Sequence, residues 1–242
     1  MLICWYPVSV SRKGIPSDHR GRYLPGKLVG DYLERAVTYY YLKKDKNLQN
    51  RFKKEVLKRG VEKIDSQLYW WLKKEVALNY PVLEGSKIPE KIYIDCHRVS
   101  KELIKFFNGE EKGFIRREWR EVFSGVVEES GIQFPDWEKI KIPVQSYSRA
   151  LGEYLHKLVK KTQLEGVVAE VQNQIANNWE ISFLLGEWTT PTPNPLFLHL
   201  WSIKELREKL QKENPHFFPK ILFYIPRLNL LTGWSQLEPK GE

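Results

Sequence analysis

The sequence predicts an α+β fold, and three observations carry that expectation. The chain opens on a short β-branched and aromatic run followed by an amphipathic helical pattern, and apolar alternation returns near residue 91. Beyond residue 180, alternating and helical patterns succeed one another again. At 242 residues, with 42% hydrophobic and 29% charged residues, the chain is long enough for one large core and too well balanced to be disordered or fibrous.

Residues 2–10 read as the first strand, and residues 11–23 as a polar loop punctuated by glycine and proline. A helix follows from Lys27 to about Lys44, because Leu28, Val29, Leu33, Ala36, Val37 and Tyr40 recur at helical spacing after Pro25 and Gly26. Two more helices are expected at about 47–59 and 62–79. Residues 91–98 alternate as a strand, and Val99 to Phe107 fits either strand or helix. Residues 114–130 are expected to be helical, Gly131 to Ile142 to be a connection, and Ser146 to about Trp179 to form a long helix that Gly152 and Gly166 permit to break.

Strands are expected at 181–185, 196–201 and 221–225, with a helix at 203–210 and an extended proline-rich loop at 189–195. This order suggests ferredoxin-like βαββαβ units with a largely helical insertion. The expected organisation is a single chain, 1–242. Within it, 1–45 plus 91–145 form a first unit, 46–90 the insertion, and 146–242 a second, partly degenerate αβ unit.

The formal charge is +9, and it is local. Residues 11–74 hold 17 Lys or Arg against 7 Asp or Glu, a net +10, so the rest of the chain is close to neutral. Such an excess suits a polyanion; a solvated lysine-rich helical face is the simpler alternative. No run of about 18 uncharged apolar residues and no signal-peptide pattern is present, so no membrane is expected and a cytoplasmic location is. Cys4 and Cys96 lack ligand or disulfide spacing and read as ordinary thiols in strands. The single Met and the many Lys and Glu resemble the composition of thermophile proteins.

Two stretches could carry nucleic-acid chemistry. In Arg22-Tyr23-Leu24-Pro25-Gly26-Lys27-Leu28-Val29-Gly30, a sharp turn would aim the first backbone N–H groups of a helix at an anion, with Lys27 adding charge. A plain turn into a helix is the alternative. Near the C-terminus, Arg227 precedes a Gly233-Trp234 turn that could approach a phosphate and stack a base, or simply pack. The aromatic trios Tyr39-Tyr40-Tyr41 and Tyr69-Trp70-Trp71 lie beside lysines, and three consecutive helix residues cannot all face inward.

The first stretch resembles the signature of the RAMP superfamily of CRISPR effector subunits, in which a first strand and loop precede an Ile-Pro-Gly-Ser-Ser-(Ile/Leu)-Lys-Gly helix start. Pro25, Gly26, Leu28 and Gly30 fit. Lys27 and Val29 depart, because the family has Ser at the first and Lys at the second. Leu231-Thr232-Gly233-Trp234 is similar to a degenerate version of the family's C-terminal Gly-rich loop, and Ile92-Tyr93-Ile94-Asp95-Cys96 resembles an element of the type III-A subunit that caps the guide-RNA 3′ end.

The resemblance implies an RRM-related, ferredoxin-like fold that binds guide RNA (crRNA) in a type III effector complex for antiviral defence, with other CRISPR effector subunits as partners and no cofactor. On it, Arg12, Lys13, Arg20, Arg22, Pro25, Gly26, Lys27, Gly30, Arg227, Gly233 and Trp234 would contact RNA. The alternatives are a metal-independent repeat-processing endoribonuclease and a protein-binding adaptor. In the nuclease, His19 would be the base and Lys27 or Arg22 would stabilise the scissile phosphate. Asp95 and His97 are further catalytic candidates. No HxxxH, DxD or ExxH spacing and no phosphate-loop motif occurs, so metal-dependent and nucleotide-driven chemistry are not expected.

Overall fold

The computed structural model describes residues 1–59, 66–108, 113–177, 181–190, 196–213 and 221–239. Strand β1, Leu2–Val8, leads through the small hairpin β2, Ser17–Asp18, and β3, Gly21–Pro25, into helix α1, Lys27–Lys44. Helices α2, Lys46–Arg59, and α3, Ser66–Asn79, follow. Strand β4, Lys91–Tyr93, adds to β3, and a 3-10 turn at Cys96–Arg98 precedes the long hairpin β5, Val99–Asn108, and β6, Gly113–Val127.

Next come α4, Trp137–Val159, α5, Glu165–Asn177, β7, Ile181–Leu184, and β8, Thr189–Thr190. Helices α6, Leu196–Ser202, and α7, Lys204–Glu213, lead to β9, Ile221–Ile225, β10, Leu230–Leu231, and β11, Trp234–Leu237. The main sheet has the order β10-β9-β5-β6-β1-β11-β7, with β8 on β9, and every pairing in it is antiparallel.

The neighbours β5-β6-β1, with α1 after β1 and α4 after β6, form the frame of a ferredoxin-like unit. The last strand, β11, rather than β7, lies on the other side of β1. Val29, Leu33, Ala36 and Val37 of α1 are buried as their spacing predicts, against Tyr147 and Leu151 of α4 and Phe183 of β7. Tyr32 ties these layers: its ring meets those of Tyr147 and Phe183 edge-on, and its hydroxyl lies 2.9 Å from Ser148, whose own hydroxyl donates to the Ser182 carbonyl.

Several expectations are corrected. Residues 114–130 are mostly strand: on one face of β6 the charged side chains pair along the strand, Arg116 and Arg120 with Glu118, and Arg120 also reaches Glu187. The predicted strand at 91–98 stops at Tyr93, and Cys96 lies exposed in the following turn instead of in a strand. The predicted strand at 196–201 is α6, and the predicted connection at 131–142 already contains the first turns of α4. The expected long helix is two helices, broken where Lys161 takes a positive φ of 63°. Of the expected loop at 189–195, Thr189–Thr190 form strand β8 and residues 191–195 lie outside the described residues.

Candidate nucleic-acid interface

The segment 11–30 is held by its carboxylates. His19 and Arg20 form the exposed tip of the β2–β3 hairpin. Beneath it, Asp18 accepts from the Arg20 backbone N–H, the Lys91 ammonium and the Tyr93 hydroxyl at 2.9, 2.6 and 3.0 Å. The Lys91 contact, with these hydrogen bonds, holds the Asp18 carboxyl far below the usual carboxylate range.

At the end of β3, Gly26 donates its N–H to the Glu90 carbonyl and caps α1. A side chain there would run into the Pro89 carbonyl, so only glycine fits. The turn is as sharp as expected, yet the Gly26 N–H is turned toward β4's own segment and is not offered to an anion. Gly30 lies one turn on, with its N–H bonded to the Gly26 carbonyl.

The basic side chains of this segment divide into two groups. Arg22 makes a double contact with Glu121, Lys27 pairs with Asp31 at 2.6 Å, and Arg12 comes within 3.9 Å of Glu118. Lys13 and Arg20 are exposed and have no carboxylate partner among the described residues. Those two cations are therefore the ones open to a phosphate without first breaking an ion pair.

The C-terminal candidates are structural. Trp234 is fully buried in the main core, where its indole cannot stack a base. Gly233 takes φ +96°, donates to the Pro7 carbonyl and lies too close to the Leu185 carbonyl to admit a side chain. Arg227, in the turn after β9, grips the buried Glu102, and this contact holds the Glu102 carboxyl below its usual range.

Arg12 and Arg227 nonetheless reach one surface. On the face of the β5–β6 hairpin away from α1 and α4, Arg120 is buried between Glu118 and Glu187 and sits beside the edge-on rings of Phe106 and Phe223. Arg116 bridges to Glu118 and lies 4.1 Å over the Phe106 ring. Glu102 stands opposite Arg120 in register. Arg116 and Arg120 escaped the sequence reading because they fall in a segment read as helix.

Asp95, Cys96 and His97 are exposed on the 3-10 turn, their ligand atoms within 4.8 Å of one another, and Asp95 caps the turn by accepting from the His97 N–H. His19 has no side-chain partner among the described residues to orient its imidazole. Of the remaining histidines, His156 has a buried Nδ1 without a hydrogen-bond partner among the described residues, His199 packs edge-on to Phe52, and His216 lies outside the described residues. Of the aromatic trios, Trp70 is 54% exposed with the Lys74 ammonium 3.8 Å over its ring, whereas Tyr39 is buried and Tyr41 stacks on Tyr80.

No protein-family model matches the chain. It is 25% identical over 245 positions to an uncharacterised protein of Aquifex aeolicus strain VF5, covering 98% of each chain. Its fold is similar, with a TM-score of 0.50 and 13% identity, to a chain in the cryo-EM structure of a Csm-crRNA-target RNA ternary complex of a type III-A CRISPR-Cas system. That likeness covers 89% of this chain and 72% of the other.

Proposed function

We propose that this chain is an RNA-binding subunit of a type III CRISPR ribonucleoprotein, holding guide RNA beside other effector subunits without cutting it. The observation that carries the reading is the fold: nearly the whole chain follows a component of an assembly that contains crRNA and target RNA. The Pro25-Gly26 turn into α1, where the signature resemblance falls, supports it.

Lys13 and Arg20 are the primary phosphate contacts, and Arg12, Arg22 and Lys27 set the local potential while holding the loop. Exposed apolar residues on the open sheet face, Trp5 and Val126, offer area to a neighbouring subunit. No residue in this region pairs with His19 to make it a base, which favours binding over cleavage.

The test is a salt titration of the purified protein with labelled CRISPR repeat RNA, unrelated RNA and single-stranded DNA, with each sample run on a denaturing gel. Salt-sensitive binding of intact RNA, weakened by Lys13→Glu with Arg20→Glu, is expected. Metal-independent shortening of the repeat that is lost in His19→Ala would replace this reading with the ribonuclease. Absence of RNA binding would leave the protein-binding adaptor.

A further inference from the structure

A wide cleft of about 1080 Å³ lies on the helical side of the molecule, between α1 and α2 on one wall and α4, α6 and α7 on the other. Its volume exceeds the roughly 300–1,000 Å³ of pockets that enclose a compact small molecule. Its basic lining consists of Lys43, Lys53, Arg149, Lys157 and Arg207, and its acidic lining of Glu153.

The contrast with segment 11–30 is one of pairing. Lys43, Lys53, Arg149 and Lys157 have no carboxylate within ion-pair distance among the described residues, and all four are exposed. These cations come from the consecutive helices α1 and α2 and from α4, which is distant from both in sequence. Surface lysines scattered for solubility would have no reason to converge on one concavity.

Between them stand amides and hydroxyls, including Gln49, Asn50 and Ser146, which donate and accept in equal measure. The large aromatic rings at the floor, Tyr39, Phe52 and Tyr154, are buried and present no stacking platform.

We infer that this cleft is a second nucleic-acid site that holds the sugar-phosphate backbone of single-stranded RNA without reading its bases. The inference rests on the RNA-binding reading above and adds a second surface to it. Cations without carboxylate partners, gathered in a concavity, attract phosphates more strongly than the same charges on a flat surface. Neutral donors and acceptors among them match phosphate and 2′-hydroxyl groups. With its rings buried, the cleft offers no aromatic platform on which a base could stack, which leaves the backbone as the group its cations can hold.

The experiment uses the full chain and a labelled, unstructured oligouridine. The variants are Lys53→Gln with Arg149→Gln in the cleft, and separately Lys13→Gln with Arg20→Gln in the hairpin region. All four positions are exposed, and thermal melts check that each variant is folded.

The cleft variant is expected to bind on the order of tenfold more weakly. Its slope of log affinity against log salt should be shallower by about 1.4, from two lost phosphate contacts at ~0.7 each, with equal loss on oligoadenosine. If the cleft variant binds as the parent does while the hairpin variant is weakened, the inference fails and the RNA-binding reading stands. If the parent binds neither oligonucleotide, both fail. Displacement of RNA by polyglutamate at matched charge concentration would assign the cleft to an acidic protein segment and overturn the inference.

Discussion

The Arg22 guanidinium holds both oxygens of Glu121, at 2.7 and 3.0 Å, and the same carboxylate accepts the Ile15 backbone N–H at 3.0 Å. One side chain of β6 thus fixes the loop after β1 and the strand before α1. Arg22 is a strut for the loop before it is a ligand for anything else.

Arg22→Ala is therefore expected to lower stability by about 1 kcal/mol, a figure discounted because both partners are partly solvated. The contact with Arg22, more than any other, holds the Glu121 carboxyl below its usual range. A carboxylate with a lowered folded-state pKa contributes its full stabilisation above the unfolded pKa, about 4.3, and loses it as the pH falls through the lower folded value. Thermal melts should show a gap between parent and Arg22→Ala that is constant above about pH 5 and closes below pH 4; a gap that persists there would mean the pair is not its source.

The two glycines of the α1 start make opposite predictions. A methyl group at Gly26 would collide with the Pro89 carbonyl oxygen, a backbone atom that cannot swing aside, so Gly26→Ala should cost roughly 1–3 kcal/mol. At Gly30 the added carbon would meet only the Ile88 Cδ1 methyl at 3.8 Å, ordinary contact within a helix. Gly30→Ala should stabilise by about 0.5–1 kcal/mol through helix propensity. Urea melts of the two variants would separate a glycine required by packing from one that a bound ligand's approach would require: a Gly30→Ala protein that is stable but binds RNA poorly would mark the second kind.

The contrast between α1 and β6 shows what the sequence made legible. In α1 the helical spacing picks out Val29, Leu33, Ala36 and Val37, which are buried, whereas Leu28 and Tyr40 of the same pattern are half-buried and Tyr32, Thr38, Tyr39 and Leu42 are buried in addition. In β6 the alternation is hidden because Arg116, Glu118 and Arg120 occupy the face away from α1 and α4 and neutralise one another beside the Phe106 and Phe223 rings. A charged run of that kind reads as a solvated helix until the partners on β5 and β9 are known.

In α6, Leu196, Leu198 and Leu200 alternate as a strand would, yet both Leu198 and Leu200 are buried in a helix packed against α1 and α4. The helical cleft could not be read at all, since Lys53, Arg149 and Arg207 meet only through tertiary packing. The local excess of charge in 11–74 was its one visible trace.

Trp234 and Trp70 test which indoles serve the core and which the surface. Trp234 is fully buried, and its Nε1 has no hydrogen-bond partner among the described residues. Trp234→Ala should cost about 3–5 kcal/mol through the cavity it leaves. Trp234→Phe should cost much less, because it also removes a donor buried without an acceptor. Neither change should alter RNA affinity in protein that remains folded. Trp70→Ala is expected to change stability by no more than about 0.5 kcal/mol. Intrinsic fluorescence quenching by RNA provides the check: the quenched signal should persist in Trp234→Phe, and its loss there would place Trp234 at the interface.

His199 makes the cleft sensitive to acid. Burial, and secondarily the nearby Lys43 ammonium, push its imidazole down to about 4, so it is neutral at pH 7. The sign follows from the unfolded chain, where the imidazole takes up a proton near pH 6.5 while the folded form resists until much lower pH. Stability is therefore expected to fall with pH between about 6.5 and 4, by roughly 1–2 kcal/mol at pH 5 after allowing for partial exposure. In His199→Phe the edge-on contact with Phe52 can be kept while the titration is removed, so its urea midpoint should fall less than the parent's between pH 7 and pH 5. Oligouridine bound in the cleft would place phosphates near His199, oppose the Lys43 field and raise the imidazole pKa, making the acid loss smaller in the complex than in the free protein. Equal losses with and without RNA would put the RNA elsewhere.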